Sequence, residues 1–131
     1  MPDHGPLLVV DDDEAFRRII ATWLRHRGYD VLEADSAEAA EAVLVTGPDP
    51  AMVLLDLNLP GNTGWELLRS ERFASPDAPP VIIASAVTVD HRRLTAFAVA
   101  GYLPKPFPLE TLQATIERVL ASRTVTSEAT A

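Results

Sequence analysis

Leu7-Leu8-Val9-Val10-Asp11-Asp12-Asp13 is the stretch on which the fold turns. Four apolar residues run without a polar break and then stop at three acids. A half-exposed strand alternates apolar with polar residues, whereas a strand buried on both faces reads as a continuous apolar run. The pattern returns at Met52-Val53-Leu54-Leu55, ended by Asp56, and at Val81-Ile82-Ile83-Ala84, ended by Ser85. Tyr29 to Ala34 and Tyr102-Leu103 read as the two remaining strands.

Helical periodicity fills the intervals. Phe16, Ile19, Ile20, Trp23 and Leu24 recur at spacings of three and four, and Gly28 ends that helix. Ala39, Ala40, Val43 and Leu44 form the stripe of a second helix, capped by Asp35 or Ser36. Trp65, Leu67 and Leu68 begin a short third, and a fourth is expected from about Asp90 to Val99. Leu109, Leu112, Ile116, Val119 and Leu120 give the last helix its stripe. Turns are expected at Gly47-Pro48-Asp49-Pro50, over 60–64 and over 76–80. Residues 122–131 are small and polar, so a flexible tail or the start of a linker is expected after a domain spanning 1–121.

Five strand-helix units predict an α/β fold, a doubly wound parallel sheet with helices on both faces and right-handed crossovers. The flavodoxin-like order 2-1-3-4-5 sets strands 1 and 3 side by side, with the binding crevice at their carboxyl ends. Asp11, Asp12 and Asp56 fall at those ends, and Ser85 and Lys105 end the next strands outward.

Composition narrows the chemistry. With 131 residues the chain suits one domain with a proper core. No apolar run is long enough to span a bilayer, no secretory signal is visible, and a cytoplasmic location is the default expectation. The absence of cysteine excludes disulfides, thiolate metal sites and Cys nucleophiles. A formal net charge of −8 argues against direct nucleic-acid binding and suits a basic partner or a cation. Positive charge rests on ten arginines and one lysine, Lys105. An ammonium is a compact point charge and a guanidinium a broad planar fork, so a lone lysine in an arginine-using chain implies a specific acidic target.

Three carboxylates at one rim repel. A pair about 4 Å apart costs roughly 4 kcal/mol at an effective dielectric near 20. Unless one is protonated, the cluster calls for a cation, and an all-oxygen donor set favours Mg²⁺. An aspartate can act as a nucleophile and form an aspartyl-phosphate. Ser85 and Lys105 would then receive the phosphoryl oxygens.

Four segments in order carry a resemblance: Leu8-Val9-Val10-Asp11-Asp12-Asp13, Leu54-Leu55-Asp56-Leu57-Asn58-Leu59-Pro60, Ser85-Ala86, and Tyr102-Leu103-Pro104-Lys105-Pro106-Phe107. Over residues 6–121 the chain resembles the receiver domain of bacterial two-component response regulators. The resemblance implies that Asp56 is the phosphoacceptor and that Asp12, with Asp11, holds Mg²⁺ (or Mn²⁺) together with Asp56 and the backbone carbonyl of Asn58. It implies Ser85 as the switch hydroxyl, Lys105 as the phosphoryl contact, Tyr102 as the aromatic switch, and a cis Lys105–Pro106 bond. The implied function is a phosphorylation-dependent signalling switch. Its donor would be a sensor histidine kinase or a histidine phosphotransfer protein, and its downstream partner is unspecified. No membrane partner is expected, and no enzyme activity beyond self-phosphorylation and slow autodephosphorylation.

Two departures stand out. Thr63-Gly64 replaces the family's usual Asp before Gly, and Ser85 and Lys105 are 20 apart, shorter than usual. The shortening falls near Ala98-Val99-Ala100-Gly101, so the fourth helix or its exit turn is expected to be trimmed. The alternative within the fold is a pseudo-receiver that binds partners without taking phosphate, against which the full set of Asp11, Asp12, Asp56, Ser85 and Lys105 argues. A nucleotide-binding enzyme would need a Gly-rich or hydroxyl-rich loop after strand 1, where this chain has acids. A hydrolase of the haloacid dehalogenase type would place its nucleophile after strand 1, not strand 3. Taken alone, the acids at 11–14 could equally be helix-start residues. Trp23 reads as core, Trp65 is assigned no function, and His4, His26 and His91 read as surface residues.

Overall fold

The computed structural model describes residues 5–59 and 63–130, with side chains described through residue 122. Residues 60–62 of the turn expected over 60–64, and His4, lie outside the described residues. The elements are β1 (Leu7–Val10), α1 (Glu14–His26), β2 (Val31–Ala34), α2 (Ala37–Thr46), β3 (Met52–Asp56), α3 (Gly64–Leu68), α4 (Glu71–Ala74), β4 (Val81–Ser85), α5 (His91–Ala96), β5 (Gly101–Pro104) and α6 (Leu109–Thr130). One five-stranded sheet runs β2-β1-β3-β4-β5, and every neighbouring pair is parallel.

The continuous apolar runs are buried on both faces. Leu7 and Val9 of β1, Met52 and Leu54 of β3, and Ile82 and Ala84 of β4 enter one core with Ile20, Leu24, Leu112 and Ile116 of α1 and α6. Leu8, Val10, Val53, Leu55, Val81 and Ile83 enter the other with Ala40, Leu44 and Leu67 of α2 and α3. The period of two within each strand divides one apolar run between two cores. Register pairs Val10 with Leu55 and Asp56 with Ala84, so the exits of β1, β3 and β4 lie at one rim.

Three details differ from the sequence reading. Ile19, assigned to the apolar stripe of α1, is 59% exposed, and Ala21 is buried in its place. Of the two caps expected for α2, Ser36 is the one used, its hydroxyl accepting from Ala39 N–H at 3.1 Å. The expected helix from Asp90 to Val99 is only His91–Ala96, capped by the Asp90 carboxylate on Arg92 N–H at 2.8 Å. It stops because Ala98 adopts a left-handed backbone with φ of 52°. Finally, α6 continues as helix to Thr130 where a flexible tail or linker was expected. Residues 121–130 contain no Gly or Pro to stop it.

Candidate functional site

β1 delivers two acids to the rim in different settings. Asp11 still belongs to the sheet, its N–H donating to the Ala34 carbonyl at 3.0 Å, and it is 2% exposed. Its Oδ1 accepts from Asp13 N–H at 2.9 Å, and its Oδ2 accepts from Lys105 Nζ at 2.8 Å. Asp12 is exposed. Asp13 turns away to cap α1, accepting from Phe16 N–H at 3.1 Å. From β3 comes Asp56, buried at its final position. Asp56 Oδ1 accepts from Asn58 N–H at 3.1 Å, and Oδ2 lies 3.6 Å from Lys105 Nζ. Carboxylate oxygens of Asp11, Asp12 and Asp56 all lie within 4.8 Å of one another.

Lys105 follows β5 after Pro104, and its peptide bond to Pro106 is cis. Its N–H donates to the Ser85 carbonyl at 2.8 Å, which ties the exits of β4 and β5 together. The ammonium lies 4.3 Å from the centre of the Phe16 ring, and Phe16 meets Phe107 edge to face at 5.9 Å. Ser85 is buried, and its Oγ accepts from Val87 N–H at 3.1 Å. Tyr102 is half-buried, and its hydroxyl donates to the Val87 carbonyl at 3.4 Å. Residue 87 therefore joins the two side chains expected to switch. A cleft of about 450 Å³ opens beside them, lined by Asn58, Trp65, Ser85, Val87, Asp90 and Arg93 among others.

The rim is short of positive charge. Burial raises the Asp56 carboxyl above its usual range, the Asn58 N–H opposes that, Asp11 adds to it, Lys105 opposes it, and Asp12 adds a smaller increase. One ammonium pairs with two of the three carboxylates, Asp11 and Asp56, and every donor atom in the cluster is oxygen. That set fits a hard divalent cation, which takes oxygen ligands and offsets like-charge repulsion.

Two features went unread in the sequence. Phe16 packs on the core as helical spacing implies, and its ring also lies against the Lys105 ammonium. Arg17 was not singled out, yet its Nη1 donates to the Asp11 carbonyl at 2.9 Å. The available signal was direction: side chains in the first turn of a helix lean toward its N-terminus, here toward the exit of β1.

The chain belongs to the response regulator receiver domain family, whose pattern matches residues 7–117. It is 35% identical over 117 residues to the phosphate regulon transcriptional regulatory protein PhoB of Pseudomonas aeruginosa, covering 87% of this chain and 51% of that protein. It is 38% identical over 124 residues to the response regulator MprA of a Mycobacterium species, covering 93% of this chain and 53% of that protein. The chain thus spans about half the length of these relatives. Among solved structures it is similar to the response regulator TrrA of Thermotoga maritima in complex with Mg²⁺ and BeF, with a TM-score of 0.76, 26% identity, and coverage of 88% and 98% of the two chains. The function class is phosphorylation-dependent two-component signalling, and the complete acid–lysine set does not favour the phosphate-independent alternative. No helix among the described residues is long and apolar enough to cross a membrane.

Proposed function

We propose that Asp56 accepts a phosphoryl group from a phosphohistidine on a sensor histidine kinase or a histidine phosphotransfer protein, in the cytoplasm. One observation carries the reading. The only lysine of the chain reaches both buried acids, Asp11 at 2.8 Å and Asp56 at 3.6 Å, within a three-carboxylate cluster at the strand ends. Asp11, Asp12, Asp56 and the Asn58 carbonyl are the proposed ligands of Mg²⁺ (or Mn²⁺). When bound, that ion supplies the charge compensation that an incoming phosphoryl dianion needs beside three carboxylates. The TrrA complex with Mg²⁺ and BeF supports the same chemistry here.

In the transfer, a carboxylate oxygen of Asp56 attacks phosphorus. An O–P bond forms, the N–P bond of the donor breaks, and the imidazole leaves with the electron pair. Lys105 turns from Asp11 toward the new phosphoryl oxygens. Ser85 gives up the Val87 N–H and donates its own O–H to the phosphoryl group, and Tyr102 follows the displaced 87 segment. Water later hydrolyses the acyl phosphate slowly, without a separate enzyme activity. Residues 1–121 make up the proposed receiver, and residues 122–131 its tail or the start of a linker.

Incubation with acetyl phosphate and Mg²⁺, read by intact mass, tests the assignment. One phosphoryl adduct is expected on wild type. An adduct that survives Asp56→Asn, or forms fully in chelator, would refute it.

A further inference from the structure

Asp12 is the exposed member of the cluster, so something other than burial must aim it. Its backbone is fixed on both sides. The peptide before it is held by Arg17 Nη1 on the Asp11 carbonyl at 2.9 Å, and the peptide after it by Asp13 N–H on Asp11 Oδ1 at 2.9 Å. Those two planes bracket φ and ψ of Asp12 and so set the direction of its Cβ. Arg17 is itself braced. Its Nε donates to Glu33 Oε1 on β2 at 3.0 Å, Arg25 Nη1 holds the other oxygen of Glu33 at 3.2 Å, and Arg25 Nη2 donates to the Val31 carbonyl at 2.9 Å. The Arg17 side chain is only 11% exposed, unlike the ends of an ordinary surface ion pair.

We propose that Arg17 is a positioning residue for the divalent-cation site, acting through the Asp11–Asp12 backbone, with Glu33 as its brace. The inference rests on the cation reading above. Two accounts of Arg17 predict opposite signs. If it acted only as a nearby positive charge, it would repel the cation, and removing it would tighten binding. If it sets the geometry of Asp12, removing it weakens binding. Outer partners of metal ligands typically contribute 10–100-fold in affinity.

The test is a Mg²⁺ titration of the full chain followed by amide NMR shifts, with melting curves in chelator as the folding control. Arg17→Gln is expected to weaken Mg²⁺ about tenfold. Arg25→Gln removes part of the same ion-pair network without touching the acid turn, and is expected to stay close to wild type. Arg17→Lys, which keeps a donor for the Asp11 carbonyl, is expected to recover most of the loss. Unchanged or tighter binding by a folded Arg17→Gln protein overturns the proposal, as does an equal loss in Arg25→Gln. If Arg17→Gln does not fold, Glu33→Gln replaces it, titrated at low and at high salt: a loss that persists when charge is screened supports the proposal, and an unchanged titration or a loss that salt abolishes overturns it. A wild-type protein that does not bind Mg²⁺ removes the cation reading itself, and this inference with it.

Discussion

Replacing Asp56 by Asn should stabilise the cation-free protein at neutral pH while destroying its function. The substitution keeps the shape, and it keeps an oxygen for the Asn58 N–H that now bonds Oδ1 at 3.1 Å. It removes a buried charge whose neighbours include Asp11 and Asp12 within 4.8 Å and Lys105 at 3.6 Å. At an effective dielectric near 20, each like-charge pair at that separation costs about 3.5 kcal/mol, and the lysine returns about 4.6 kcal/mol. Two repulsions against one attraction leave about 2 kcal/mol, to which burial of the charge adds. For a domain of this size that corresponds to a rise in Tm of about 8 °C. The Asp56 carboxyl is raised in the folded protein, chiefly by burial, so folding favours its protonated form. The penalty is therefore absent below the ordinary carboxylate pKa, grows as pH rises through the folded value, and is complete above it. Urea denaturation in chelator from pH 4 to 8 should show the advantage of Asp56→Asn growing over that range. Saturating Mg²⁺ should shrink it, because the cation stabilises wild type by binding the folded state. No advantage at pH 7, or one independent of both pH and Mg²⁺, would refute the account of the site as a like-charge cluster.

Asp12→Ala should weaken Mg²⁺ at least tenfold while Asp13→Ala leaves it nearly unchanged and instead costs about 1 kcal/mol of stability as a lost helix cap; NMR titration and urea melts separate the two. Lys105→Arg should still fold and take phosphate from acetyl phosphate, but fail to switch, because a planar fork does not fit where one ammonium bridges Asp11 and Asp56. Wild-type-like amide shifts in the phosphorylated Arg variant would contradict this. With beryllofluoride as phosphoryl mimic, wild-type amide shifts should extend from the rim into 85–89 and Tyr102, along the bonds that Ser85 and Tyr102 make to Val87. Shifts confined to the rim would mean that this connection carries no signal.

The strands were legible because burial on both faces leaves a continuous apolar run at Leu7–Val10, Met52–Leu55 and Val81–Ala84. The rim acids were legible because each ends such a run. What local pattern could not carry was distance. Nothing near residue 105 says that its ammonium lies closer to Asp11 than to Asp56; strand order places β5 nearer β3 than β1, and the side chain reaches across the rim past that order. Ile19 satisfies helical spacing as well as Ala21 does, and which of the two is covered depends on how α1 seats on the sheet. The shortened α5 was foreseeable from the spacing of Ser85 and Lys105, but not the left-handed Ala98 that ends it. The aromatic face over Lys105 and the Arg17 contact cross between elements, and single-segment periodicity holds no record of them.

The two-sided burial of β1 has a consequence for how the chain finds its own reading frame. Leu7, Leu8, Val9 and Val10 are each 1% exposed or less, and the two cores receive a Leu and a Val apiece. Sliding the strand by one residue would still give one of the two cores a Leu and a Val of nearly the same volume, so the interior of the strand distinguishes the registers weakly. The ends decide. A slip one way brings Pro6, which lacks an N–H, to the place where Leu7 donates to the Asp30 carbonyl at 2.8 Å. A slip the other way draws the Asp11 carboxylate into the hydrocarbon around Val10, at a cost of several kcal/mol. The acid that serves the rim is thus also a stop that keeps the neighbouring strand from sliding. An apolar residue at position 11 would give up uniqueness of pairing before it gave up overall stability.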